Sequence, residues 1–220
     1  MWNDTGLQHD VENEVGYELN AELKQISVTV KSGAVELGGH VDSFWEKCAA
    51  ERAAWRIVHV NHVTNGIRVI IPFNQQRDDD DIALAAMSNL EWNCLLPETV
   101  TVQVSGGLVT LSGSVERYQQ KEEASRTLST LSGITGIHNE IVIQPRAASG
   151  DVKSLIEAAL RRNAIVDSSH IKVHVGNGVA SLRGTVRSRA EYDQAMHAAW
   201  AAPGITKVED HITIGSTKSD

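Results

Sequence analysis

Hydrophobic and polar residues alternate with period two in three separate stretches of the chain: Ile26-Val28-Val30, Val100-Val102-Val104 and Ile171-Val173-Val175. Such alternation predicts a strand with one buried face. Each stretch runs into residues that tolerate positive φ, Ser32-Gly33, Gly106-Gly107 and Asn177-Gly178, as a tight hairpin turn requires. A second strand follows through Leu37, Leu111 and Leu182. The period then changes. Ala50-Ala54-Ile57, Ala124-Leu128-Leu131 and Ala195-Ala199-Ala202 keep helical spacing and predict a helix of about four turns. Gly133 and Pro203-Gly204 end it in the second and third stretches, because glycine takes the left-handed position past a helix cheaply. The first stretch has His59 in that column, a residue that enters the left-handed region more readily than most. A last strand is read from Ile67-Val69-Ile71, Ile141-Ile143 and Ile212-Ile214. Ahead of each hairpin, Val11-Val15-Leu19, Ile82-Ala86-Leu90 and Val152-Ile156-Leu160 predict a short helix. On that reading the first copy has the shortest connection from helix to strand.

The three stretches are copies of one unit. Gly33, Gly107 and Gly178 fall into one column, Leu37, Leu111 and Leu182 into another, and Gly39, Gly113 and Gly184 into a third. The same offsets carry on without a gap to Asn65, Asn139 and Asp210, so the repeat is an array of equal supersecondary units. The predicted fold is α+β: three tandem αββαβ modules over residues 8–72, 80–145 and 150–215, each a small mixed sheet with two helices on one face. Two antiparallel strands and a crossover to a third make such a sheet. The run Asp78 to Asp81 reads as a solvated linker whose last residue can cap the next helix. Arg146 to Gly150 reads as a second, shorter linker.

The hairpin signature, Gly107-Leu108-Val109-Thr110-Leu111-Ser112-Gly113-Ser114-Val115 in the second copy, together with the later Asn/Asp column, resembles the BON domain (bacterial OsmY and nodulation). The resemblance extends over nearly the whole chain as three tandem copies. It implies a non-enzymatic module associated with bacterial envelopes, osmotic shock, phospholipid binding and protein–protein contact.

Composition narrows the field without naming a reaction. The chain has 220 residues, 41% hydrophobic and 22% charged, with a formal net charge of −8. These values describe a folded globular protein, and the negative charge disfavours nucleic acid as a partner unless charge is segregated. No apolar run reaches the length of a membrane span. The N-terminus lacks the basic and apolar regions of a secretory signal, so the expectation is cytoplasmic, or periplasmic if a leader has been removed. Charge is in fact segregated. Residues 1–72 carry a net −4, residues 73–147 a net −5, and residues 148–220 a net +1.

His170 and His174 share a strand face but stand four residues apart, too far for one metal ion. No catalytic motif is present, and neither Cys48 nor Cys94 recurs in the other copies. No enzyme, metal or cofactor is expected. Arg183, Arg187 and Arg189 cluster in the third copy and form a candidate anion-facing patch. Trp55 and Trp200 share a helix-two column about 140° from the core-facing alanine. A large aromatic there fills a neighbouring surface or anchors an interface. The expected contact residues for anionic phospholipid or a protein partner are therefore Trp55, Trp200, Arg183, Arg187 and Arg189. Gly33, Gly107, Gly178, Gly39, Gly113 and Gly184 are the expected structural turn positions. The leading expectation is a tandem binding and scaffolding protein in envelope or osmotic stress. The alternative is a self-assembling interaction module with no lipid role, a possible homo-oligomer.

Overall fold

A computed structural model describes residues 3–19, 25–145 and 151–215. The connection read at Arg146 to Gly150 lies outside the described residues. Module one contains α1 (Asp4–Leu19), β1 (Ile26–Lys31), β2 (Ala34–Val41), α2 (Phe44–Arg56), β3 (His62–Asn65) and β4 (Arg68–Val69). Module two contains α3 (Asp79–Glu91), β5 (Thr101–Ser105), β6 (Leu108–Ser112), β7 (Ser114–Val115), α4 (Tyr118–Leu128), β8 (Gly136–Asn139) and β9 (Val142–Ile143). Module three contains α5 (Val152–Arg162), β10 (Ile171–Gly176), β11 (Val179–Val186), α6 (Arg189–Trp200) and β12 (Lys207–Ile214). The fold is α+β, and the order helix-strand-strand-helix-strand repeats three times. In each module the hairpin strands pair antiparallel, and the second strand then pairs in parallel with the strand that follows helix two.

The glycine columns show why the motif takes its form. Both turn residues of each hairpin have positive φ: Ser32 and Gly33 at 51° and 80°, Gly106 and Gly107 at 58° and 75°, Asn177 and Gly178 at 50° and 77°. That pair of values defines the type I′ turn, whose twist matches the strands it joins. The second glycine of the motif is needed for room. A Cβ on Gly39, Gly113 or Gly184 would lie 1.9, 2.0 or 1.9 Å from the carbonyl oxygen of Gln25, Thr99 or His170. The chain entering the first hairpin strand thus runs directly over that glycine, and no side chain fits between them.

Each core lies between one sheet face and the two helices. In module three Ile171, Val173, Ala180, Leu182 and Val186 face Ile156, Leu160, Ala195 and Ala199, all buried. In module one Val28, Leu37 and Val41 meet Val11, Val15, Ala50 and Ala54. The opposite sheet face is open.

Three readings are corrected. The core positions of α1 are Leu7, Val11 and Val15, with Leu19 only half-buried. The helix still runs to Leu19, so module one keeps the shortest connection from first helix to first strand. The acidic run is not a linker ending in a cap. Asp79, Asp80 and Asp81 form the first turn of α3, and its N-cap residue, Asp78, makes no side-chain capping bond. Carboxylates are favourable there because the first turn of a helix carries partial positive charge. Asp79 does more, accepting hydrogen bonds from the backbone N–H of Gly106 (2.7 Å) and Gly107 (2.9 Å) and so bracing the hairpin turn. Helix two is also shorter than four turns. Ile57, Leu131 and Ala202 lie beyond its last residue and are half-buried.

Candidate functional site

The matching column at Asn65, Asn139 and Asp210 sits in the third strand of each module. Its Oδ1 accepts from the backbone N–H two residues on: Ile67 at 3.2 Å, Ile141 at 3.1 Å and Ile212 at 2.8 Å. Its other end ties the strand to helix two. Asn65 Nδ2 donates to the Lys47 carbonyl and Glu51, and Asn139 Nδ2 donates to Ser125 Oγ. In module three the column is an aspartate, which only accepts, and the helix supplies a donor instead, the Tyr192 hydroxyl at 2.6 Å. Burial, then the bond to Asp210, push the Tyr192 phenol up to about 12. These residues staple the fold rather than meet a ligand.

The two tryptophans of the shared column have different surroundings. Trp55 is half-buried against the flank of the module-one core. Trp200 is half-buried against the module-three core, and its ring stacks on that of Tyr118 with centroids 4.0 Å apart and planes 12° apart. Tyr118 and Trp200 belong to one compact unit. Trp200 therefore contacts a residue of the preceding module.

The three arginines face different neighbours. Arg187 lies 3.7 Å from the carboxylate of Glu191, which is 3% exposed. That carboxylate also accepts from the backbone N–H of Asp167 and Arg187, both at 2.7 Å, and so closes the start of α6. Arg189 pairs with Asp193 at 2.7 Å and lies over the Tyr192 ring. Arg183 is exposed in the middle of β11, on the open side of the sheet.

Strand register collects more charge around Arg183. Lys172 of β10 lies opposite Arg183, and Arg183 lies opposite His211 of β12, so three basic residues form one row across three strands. Adjacent strands are about 4.8 Å apart, so the row spans about 10 Å. His174, Ser181 and Glu209 make the next row, and Lys207 pairs with Glu209 at 3.0 Å. Lys207, then His211 and Arg183, hold the Glu209 carboxyl below the usual carboxylate range. Lys172, His174, Arg183, Lys207 and His211 are all exposed. The corresponding face of β5 and β6 carries Thr101, Gln103, Ser105, Leu108, Thr110 and Ser112, with no charge. Sequence reasoning missed this face because it weighed arginines by proximity in sequence. The signal was the period-two set of outward residues in module three.

Among the described residues no group of His, Cys, Asp and Glu is placed to hold a metal ion, and no helix is long and apolar enough to cross a membrane. Burial pushes the Cys48 thiol up, away from the thiolate that nucleophilic chemistry needs. A groove of about 590 Å³ in module one is lined in part by Glu14, Tyr17 and Arg56. Its guanidinium is already bridged to Glu14 at 2.8 Å and Glu18 at 2.6 Å.

An array of αββαβ units with this hairpin and this stapling column defines a class of small repeated α+β modules. The BON domain family matches residues 3–70, 78–145 and 149–216, and the chain belongs to that family. Osmotically-inducible protein Y of Escherichia coli (strain K12) is 34% identical over 122 residues, covering 51% of this chain and 60% of that protein. The match therefore spans less than two thirds of this relative's length. Among solved structures, CdsD, a structural protein of the Type III secretion system of Chlamydia trachomatis, is 16% identical with a TM-score of 0.28, covering 97% of this chain and 94% of that one. The PrgH periplasmic domain is 10% identical with a TM-score of 0.24, covering 91% and 99%. Superpositions this loose carry no information about function.

Proposed function

We propose that this tandem BON protein binds an anionic phospholipid surface through the open sheet face of its third module, and that it serves a bacterial response to osmotic stress. The osmotic part follows from the printed name of the Escherichia coli relative. The observation that carries the lipid part is the cross-strand row Lys172, Arg183 and His211, in the one module that is not net negative. A three-stranded face with a cationic row suits an extended anionic surface. Arg187 and Arg189 already have carboxylate partners, so Arg183 leads among the three arginines. Trp55 packs against the core of module one and Trp200 against that of module three and the Tyr118 ring, so neither is assigned to this face.

Each Lys or Arg near an anionic membrane contributes about 1 kcal/mol. Lys172, Arg183 and Lys207 together give about 3 kcal/mol, less what Glu209 takes back, so binding is weak and sensitive to salt. The test is co-sedimentation with vesicles of phosphatidylcholine alone or mixed with phosphatidylglycerol. The whole chain should pellet with the anionic vesicles at low salt only. Lys172→Ala combined with Arg183→Ala should weaken binding about thirtyfold. Equal binding to both vesicle types, or an unchanged affinity in the double variant, would remove the lipid reading.

A further inference from the structure

The ends of the first helices of modules two and three occupy the same place in their folds and carry opposite chemistry. Their equivalence is fixed by Asn93 and Asn163. Asn93 Oδ1 accepts from the Leu95 N–H at 3.1 Å, and its Nδ2 donates to Glu123 of α4 at 2.9 Å. Asn163 Oδ1 accepts from the Ile165 N–H at 2.9 Å, and its Nδ2 donates to Gln194 of α6 at 2.9 Å. Glu123 and Gln194 are the same column of helix two, with the 71-residue offset of the motif glycines. Immediately before each asparagine stand Glu91-Trp92 in module two and Arg161-Arg162 in module three.

All four side chains are exposed, Trp92 at 86%. The same helices and the turns after them carry large exposed apolar side chains, Leu84 (67%) and Leu95 (60%) in one module and Leu155 (48%) and Ile165 (52%) in the other. A tryptophan this exposed, with exposed Leu95 three residues on, is apolar surface of the kind that marks a contact. Its charge setting is one-sided: from Asp78 to Glu116 the sequence contains seven acidic residues and no lysine or arginine. An anionic lipid surface is thus repelled from this patch, whereas a basic apolar one is attracted.

We propose that this module-two surface docks on the equivalent module-three surface of a second copy of the chain. The named side chains of both surfaces are exposed, and the match is one of charge. A pseudo-two-fold pairing sets Glu91 and Trp92 against Arg161 and Arg162, with Leu95 and Ile165 between them. Carboxylate–guanidinium and cation–π pairs both form in that arrangement, and Trp and Arg are the side chains that most often dominate protein interfaces. Like-with-like pairing is disfavoured, since module two against module two opposes Glu91 to itself and module three against module three opposes guanidiniums. That selects the mixed contact. Because each chain carries both surfaces, the contact either forms twice in a reciprocal two-fold dimer or continues into a larger ring or a chain. The contact is independent of the lipid-facing sheet and requires no membrane.

Sedimentation velocity of the full chain without lipid, at low salt and from micromolar to near-millimolar concentration, tests this. The mass should rise with concentration. Glu91→Arg and Arg161→Glu should each raise the dissociation constant at least tenfold. The double variant Glu91→Arg with Arg161→Glu should return to near the wild-type value, because the swapped charges pair again. Trp92→Ala should weaken assembly with circular dichroism unchanged. A monomer at every concentration, or an assembly indifferent to both reversals, or a double variant no better than the singles, would overturn the proposal. None of these readouts depends on vesicle binding, so the two proposals fail separately.

Discussion

Adding one methyl group to Gly113 is the sharpest perturbation the fold offers. Gly113 has φ of 111°, and its added Cβ would fall 2.0 Å from the Thr99 carbonyl oxygen and 3.0 Å from its carbon. Relief requires the chain entering β5 to recede by more than about 1 Å from ordinary contact distance. Holding an L-residue at such a φ costs about 1–3 kcal/mol. Opening the first rungs of the β5–β6 ladder, around Thr101 and Ser112, loses one or two hydrogen bonds at about 1 kcal/mol each. Gly113→Ala should therefore cost about 2–5 kcal/mol. A module of this size has about 3–10 kcal/mol to lose, so module two moves close to unfolding. Hydrogen exchange read by mass spectrometry should show β5, β6 and α4 losing protection while β10–β12 keep theirs. The control is Gly106→Asn. Gly106 has φ of 58° with nothing within 4 Å of an added Cβ, and the same column holds Ser32 at 51° and Asn177 at 50°. That change should stay within about 0.5 kcal/mol of neutral. A cost below about 1 kcal/mol for Gly113→Ala, or equal costs for the two changes, would refute the close-approach argument.

Further outcomes follow from named contacts. Asn65→Asp sets a carboxylate against the Lys47 carbonyl and Glu51, whereas Asn139→Asp meets a hydroxyl that can donate, Ser125. Urea unfolding should show the first costing about 1–3 kcal/mol and the second much less. Tyr192 titrates at about 12, above the roughly 10 of an unfolded chain. The stabilisation from its neutral phenol is full below pH about 10 and is lost as pH rises toward about 12. Ultraviolet titration should show a late phenol step that disappears in Tyr192→Phe, and a titration curve unchanged above pH about 10 by that substitution would contradict this. Trp200→Ala and Tyr118→Ala should each remove the same stacking contact, about 0.5–1.5 kcal/mol. Their double variant should lose less than the sum of the singles, and full additivity would show that the rings do not interact.

The strands, hairpins and sheet faces were legible because period two and positive-φ residues are local signals. The presence of helix two and the left-handed turn after it, where His59 has φ of 74° beside 93° and 79° at Gly133 and Gly204, were legible for the same reason, while the helix itself stops earlier, at Arg56 in module one. The register of α1 was not, since an apolar stripe from Leu7 to Leu19 offers more turns than the core uses. The role of Asp79 was hidden because its partners, Gly106 and Gly107, lie 27 and 28 residues away. The helical wheel placed Trp200 off the main core face but carried no information on Tyr118, which belongs to another module. The arginines were grouped by sequence distance, while the structure groups Arg183 with Lys172 and His211 by strand register.

The central claim is that the module-three sheet face meets the anionic surface. Hydrogen exchange of the full chain with and without phosphatidylglycerol vesicles, at low salt, tests it most directly. The account predicts added protection in β10, β11 and β12, lost in the Lys172→Ala/Arg183→Ala variant. Protection confined to the first helices of the modules, or absent everywhere, would contradict it.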